Sequence, residues 1–107
     1  MKRGDLVTIA LQGDYGKPRP ALIVQSDLFC EHPSVTILPV TSELRDTPLF
    51  RIRLEAGAPN NVQKTCEIMV DKAQSVSRER IGKVFGRVTD ERMLEVNRSL
   101  AIFLGVI

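Results

Sequence analysis

The sequence predicts a mainly β protein, a small barrel carrying one helix at its C-terminal end. Three observations point there. Six short runs rich in Val, Ile, Leu and Thr are punctuated by Gly-, Pro- and Asn-rich turns. Only the last segment switches to helical spacing. The 107 residues hold no internal repeat, low-complexity stretch or linker, so they are expected to form a single domain, 1–107.

The elements follow in order. Asp5 to Leu11 (DLVTIAL) is an apolar, β-branched strand. The segment GDYGKPRP after it holds two glycines and two prolines, which makes it a loop whose glycines let the backbone come close to a ligand. Ala21 to Gln25 (ALIVQ) and Ser34 to Val40 (SVTILPV) are continuous apolar runs, the pattern of buried strands. Pro39 fits the second of these only at an edge or a bulge. Leu49 to Glu55 alternates: Phe50, Ile52 and Leu54 share one face, while Arg51 and Arg53 point outward together on the other. A GAPNN loop leads to a strand over Cys66 to Lys72, which AQSV continues or re-enters. Ser77 with Arg80 opens one helical turn, and Lys83 to Val88 is the last strand, its Gly86 suggesting a bulge or kink. Thr89 caps the terminal helix, with Asp90 and Glu91 at its positive end. Met93, Leu94, Asn97, Leu100, Ala101 and Leu104 keep helical spacing, and Val96 and Phe103 widen the apolar side. So apolar a helix needs cover from the barrel, a partner subunit, or both.

Composition excludes several classes of protein. With 43% hydrophobic and 26% charged residues, a core can form without disulfides or metal staples. No apolar run approaches the roughly 18–20 residues of a membrane span. No apolar stretch follows MKRGDLV, so no secretory signal is visible and the expected compartment is the cytoplasm. Cys30 and Cys66 lack CxxC spacing and read as reduced thiols. His32 is a lone loop histidine without a ligand cluster, so neither a metal nor another cofactor is expected. A net charge of +2 implies nucleic-acid binding only if the basic residues gather on one face.

The segment KPRPALIVQSD (Lys17 to Asp27), with the opening RGDLV (Arg3 to Val7) and the later PVTS (Pro39 to Ser42), resembles the MazF/PemK/Kid family of toxin endoribonucleases, in order and over essentially the whole chain. The resemblance implies an SH3-like barrel with a C-terminal helix, acting as a homodimer. It implies metal-independent, sequence-selective cleavage of single-stranded RNA, in which the 2′-hydroxyl attacks the adjacent phosphate to leave 2′,3′-cyclic phosphate and 5′-hydroxyl ends. It also implies a cognate antitoxin that covers the RNA groove with an extended acidic tail. Arg53 and Lys17 are the expected contacts for that tail.

In this resemblance the family's key arginine falls on Arg19 and its key threonine on Thr41. The chemistry suits them. A 2′-OH attack supplies its own nucleophile, so the protein must fix an in-line geometry and neutralise a dianionic phosphorane. A guanidinium offers a permanent charge and a fork matched to phosphate oxygens. A threonine hydroxyl donates to the same phosphate or accepts from the ribose. Asp71 aligns with a proposed carboxylate base of the Kid branch, and Asp14 in the Gly/Pro-rich loop is a second candidate. Two positions depart from the family: Met69 stands where Kid has a second functional arginine, and the first loop lacks the usual glutamate-containing segment.

RNA binding needs positive charge and a stacking surface. Lys17, Arg19, Arg51, Arg53 and Lys72 are the candidates for the first, and Tyr15 for the second, with Asp14 and Ser42 beside them. Plainer readings stand next to these. On the residues alone, Arg19 serves a salt bridge, Thr41 a turn or cap, Tyr15 a loop anchor, and Arg51 and Arg53 a solvated sheet face. Two rival functions share the fold. One is a CcdB-type gyrase poison, suggested by VQSD (Val24 to Asp27) and the apolar end SLAIFLGVI, but the chain has no tryptophan to supply that family's C-terminal anchor. The other is a catalytically dead relative that only binds an antitoxin.

Overall fold

The computed structural model describes residues 1–10 and 17–107. Among the described residues there are seven strands: β1 (Asp5–Ala10), β2 (Pro18–Ile23), β3 (Ser34–Thr41), β4 (Arg51–Leu54), β5 (Cys66–Met69), β6 (Gln74–Ser77) and β7 (Ile81–Arg87). The same residues hold one helix, α1 (Asp90–Leu104), after the last strand, and three short 3-10 turns. All pairings are antiparallel, in the order β4-β5-β3-β2-β1-β7, with β6 added to β3. The expected mainly β architecture with a C-terminal helix is therefore present.

The central strands are buried on both faces, which is why they read as unbroken apolar runs. Leu6, Leu22, Leu38 and Val40 join Ile52, Ile68, Val88, Met93 and Val96 in a main core under α1. Their sequence neighbours Val7, Ile9, Ala21, Ile23, Val35 and Ile37 form a second core with Val76 of β6.

Proline placement shapes the sheet. Val24 N donates to Thr36 O, so even-numbered residues of β2 aim their amides at β3. Pro18 and Pro20 share that parity and have no amide to offer. The β2–β3 ladder accordingly stops after Ala21↔Pro39, while β1 stays paired with β2 down to Ala10↔Pro18. Pro39 is not on an edge strand as expected. It sits where β3 exchanges β6, paired at residues 34–37, for β5, paired at 40–41, so its missing donor faces a gap between ladders.

The sheet's two ends are joined by a loop and not by a ladder. Arg87 N donates to Pro59 O, and Asn61 Nδ2 to Phe85 O at 2.9 Å. Gly86 permits this approach, because a Cβ there would collide with the Asn60 carbonyl. The irregularity expected near Gly86 is present as a register shift between Leu6 and Val7.

Helix α1 is capped as expected, Thr89 Oγ1 accepting from Arg92 N at 3.2 Å, and it stops at Gly105 in the left-handed region (φ 71°). Its buried stripe is Met93, Val96 and Ser99, with Leu100 and Ala101 partly covered. Leu94 and Leu104, expected in that stripe, point outward. Ser99 Oγ fixes the rotation by donating to Leu49 O at 2.6 Å. The RGD opening ties the chain start to this layer: Arg3 Nε donates to Val24 O and its Nη2 to Asn97 Oδ1, both at 2.7 Å. Other boundaries also differ from expectation: β3 runs on to Thr41, and β7 is Ile81–Arg87 where Lys83 to Val88 was expected. β2 begins and ends earlier than Ala21–Gln25, β4 is shorter than Leu49–Glu55, and β5 stops at Met69, where a 3-10 turn takes over Val70–Lys72.

Candidate nucleic-acid interface

Where the paired prolines end the β2–β3 ladder, the barrel mouth opens into a groove of about 530 Å³. Val40 and Cys66 of the main core form its floor, with Val62 and Phe85 packed against that core. Burial first, then Glu55 and Glu67, push the Cys66 thiol pKa up, so it stays a neutral thiol. The rim carries Arg19, Lys64 and Lys83, together with the hydrogen-bonding side chains of Thr41, Ser42, Asn61 and Gln63. Among the described residues that line it, none is acidic.

Each wall is held by its own sequence. Arg19 pairs with Ile9 of β1, so a strand carries the guanidinium, which is exposed. Continuing the Ala21↔Pro39 register by two residues puts Thr41 opposite Arg19. Thr41 Oγ1 accepts from Glu43 N at 3.1 Å. This is the turn role that the residue type suggested, and it leaves the hydroxyl proton to donate outward. The third wall, residues 57–64, is rigid: Asn61 N bonds Gly57 O at 2.8 Å, Val62 N bonds Asn60 Oδ1, and Asn60 Nδ2 bonds Glu55 O. The VQSD residues serve the scaffold at the far end of β2. Gln25 bonds Thr36 N, Ser34 O and Phe29 O, and Asp27 Oδ1 accepts from Arg3 N.

The groove thus unites three of the sequence-predicted residues, Arg19, Thr41 and Ser42. Lys17, exposed, precedes β2, two residues from Arg19. Asp14 and Tyr15 lie outside the described residues. Four others fall elsewhere. Arg51 is not an outward-facing cation: its side chain is 6% exposed, and Nη1 bonds Glu67 Oε1 at 2.9 Å and Glu43 O at 2.8 Å. Arg53, half exposed, holds the other Glu67 oxygen at 2.9 Å. Alternation showed that these arginines share a face, but not that the chain after β3 folds over it around a buried carboxylate. Burial pushes the Glu67 carboxyl up, but the Arg45 amide and both guanidinium partners outweigh burial and hold its pKa down at about 2. Asp71 and Lys72 occupy the 3-10 turn beside α1 and do not line the groove. A strand through Lys72 would have carried them along β5; the turn takes them away from it.

Two cations escaped the sequence reading. Lys64 stands in the GAPNN-to-Cys66 connection, and Lys83 was counted as part of a strand. The one available signal was Gly82, directly before the β7 lysine, with Gly86 three residues after it.

The fold and groove define a class: a small, mainly β domain with a C-terminal helix, whose open mouth carries cations and hydrogen-bonding side chains. A family model described as the PemK-like, MazF-like toxin of type II toxin–antitoxin systems matches residues 2–104. The chain is 40% identical over 107 residues to a probable endoribonuclease MazF of Mycolicibacterium smegmatis, covering 99% of this chain and 98% of that protein. It is also similar to a solved mycobacterial endoribonuclease in complex with its cognate antitoxin, with TM-score 0.83, 23% identity, and coverage of 100% of this chain and 97% of the other. A Deinococcus radiodurans MazE–MazF structure gives TM-score 0.80 at 24% identity, covering 98% and 96%. At those identities the two structures speak for the fold alone. The chain belongs to the PemK/MazF family of type II toxin–antitoxin toxins. The gyrase-poison alternative is not favoured by this match.

Proposed function

We propose that the groove binds single-stranded RNA and cleaves it by attack of a 2′-hydroxyl on the adjacent phosphate, giving 2′,3′-cyclic phosphate and 5′-hydroxyl ends. The observation that carries this reading is the meeting of Arg19, Thr41 and Ser42 in a mouth with two further cations and no acidic lining among the described residues. Arg19 neutralises the phosphorane charge that grows in the transition state, and the Thr41 hydroxyl donates to the same oxygens. Arg19 acts as an electrostatic clamp, its guanidinium fork matched to the phosphate oxygens. With Asp71 away from the groove, Asp14 is the remaining carboxylate candidate for the base.

The assembly reading has two parts. A second copy of the chain covers the outer face of α1, where Ile102, Phe103 and Leu104 are exposed next to Val106 and Ile107. A cognate antitoxin reaches the basic rim beside Lys17 with an acidic segment that runs on beyond the groove to Arg53. No helix among the described residues is long and apolar enough to cross a membrane, and the site of action we infer is the cytoplasm, where mRNA is available.

The test is incubation with a mixed-sequence single-stranded RNA in EDTA. Discrete fragments with cyclic-phosphate ends, and an uncut site wherever the ribose is replaced by deoxyribose, are the expected result. Cutting at the deoxyribose would make water the nucleophile and defeat the mechanism. Intact RNA with unchanged antitoxin binding would leave a binding protein without catalysis.

A further inference from the structure

β7 meets β1 through two irregularities. Leu6 pairs with Gly86 and Val7 with Val84, which leaves Phe85 as an extra residue. Val7 pairs with Val84 and Ile9 with Ile81, so Gly82 and Lys83 together oppose Thr8. Bulges of this kind re-aim side chains and gather beside active sites. Here the two groove-lining residues of β7, Lys83 and Phe85, are the ones at the bulges.

The Lys83 bulge is built in. Its amide donates to Thr8 Oγ1 at 3.2 Å in place of a ladder bond, and Gly82 lets the strands close, because a Cβ there would collide with the same hydroxyl. Lys83 itself is exposed and makes no ion pair among the described residues. Thr8 pairs with Pro20 on its other side, so Lys83 stands across β1 from the strand that carries Arg19. Two inter-strand spacings put those backbones about 10 Å apart. Both side chains still line one groove, so two cations flank a channel wider than one phosphate.

We propose that Lys83 is a substrate-positioning residue: its ammonium holds a phosphate beside the scissile one, so that the RNA backbone runs from Arg19 across β1 towards β7. The inference rests on the RNA-cleaving reading of the groove. Phe85, half-buried next to Lys83, gives the intervening nucleotide an apolar floor. Lys83 acts on binding and alignment and takes no part in proton transfer.

The experiment compares wild type with Lys83→Ala, Lys83→Gln and Lys83→Arg. One readout is cleavage kinetics on a ribo-oligonucleotide. The second is the salt dependence of binding to its 2′-O-methyl analogue, which cannot be cut. Expected for the Ala and Gln variants is a KM raised about tenfold at low salt with kcat within about twofold. Their slope of log affinity against log salt falls by about 0.7, the loss of one phosphate contact on a single strand. Lys83→Arg restores both, and the melting temperature stays put. An unchanged slope in Lys83→Ala overturns the proposal, whether KM is unchanged or rises in step with lost thermal stability. If wild type leaves the ribo-oligonucleotide intact, the cleavage reading fails, and the binding slope still decides whether Lys83 touches phosphate.

Discussion

Thr41 Oγ1 accepts the Glu43 amide at 3.1 Å while its side chain faces the groove opposite Arg19. One bond therefore fixes the oxygen and leaves its proton free for a substrate oxygen. Thr41→Ser keeps both capacities and is expected to cleave at close to the wild-type rate. Thr41→Val keeps the shape and loses both, at about 1 kcal/mol of stability for the turn bond. Its single-turnover rate should fall by about 10²–10³, the usual cost of one preorganised donor. Single-turnover assays and thermal melts on both variants separate the two effects, and a fast Val variant would remove Thr41 from the chemistry.

Arg19 and Asp71 are expected to part company. Arg19→Ala should lose about 10³ or more in rate, because the phosphorane charge is left without its fork. Arg19→Lys restores charge but not bidentate geometry and recovers only part of the loss. Asp71 lies in the 3-10 turn by α1, with its Oδ1 buried and unpartnered among the described residues. Asp71→Asn should therefore cleave normally with unchanged or improved stability. A pH–rate profile is the check: loss of its acidic limb in Asp71→Asn would return that carboxylate to the base role.

Glu67 predicts an acid transition. Its carboxyl pKa is held at about 2 in the folded protein, below the usual carboxylate range. A depressed folded value stabilises above the unfolded pKa and is lost as pH falls through the folded one. That stabilisation is present at neutral pH and fades as pH falls from the ordinary carboxylate range towards about 2. Glu67→Gln should flatten the stability profile over that window in urea melts. It should also be destabilised at neutral pH, because Arg51 would be left buried beside a neutral amide.

The strands and the helix were legible in the sequence because their signals are local: double-faced burial leaves continuous apolar runs, and Thr89 announces the start of the helix. Arg19, Thr41 and Ser42 were legible through the family resemblance, and the alternating prolines beside Arg19 give that motif its physical sense. Arg51 was misread because periodicity assigns a face but not its cover, and the cover comes from outside the strand, from the segment after β3 and from Glu67 of β5. Lys83 was overlooked because bulges shift which residues share a face, and nothing in a strand's own composition announces a partner hydroxyl such as Thr8. Helix rotation was misjudged for the same non-local reason: the Ser99 bond to Leu49 O turns Leu94 outward.

Gly86 offers a test of whether the loop wall matters to RNA. A Cβ at this position would meet the Asn60 carbonyl, so Gly86→Ala must push residues 57–62 away from β7. That loosens the Arg87–Pro59 and Asn61–Phe85 bonds and displaces Asn61, Gln63 and Lys64 from the rim. The expected cost is about 1–3 kcal/mol, as for other overpacked sites, with weaker RNA binding at every salt concentration. Gly105→Ala is the matched control. Its strain comes from φ 71° alone, with nothing within 4 Å of an added Cβ, and it lies at the far end of α1. It should lose about 1 kcal/mol and bind RNA as wild type does. If both variants lost RNA affinity in proportion to their stability, the loop would be scaffold only, and the reading of its polar side chains as part of the binding surface would fall.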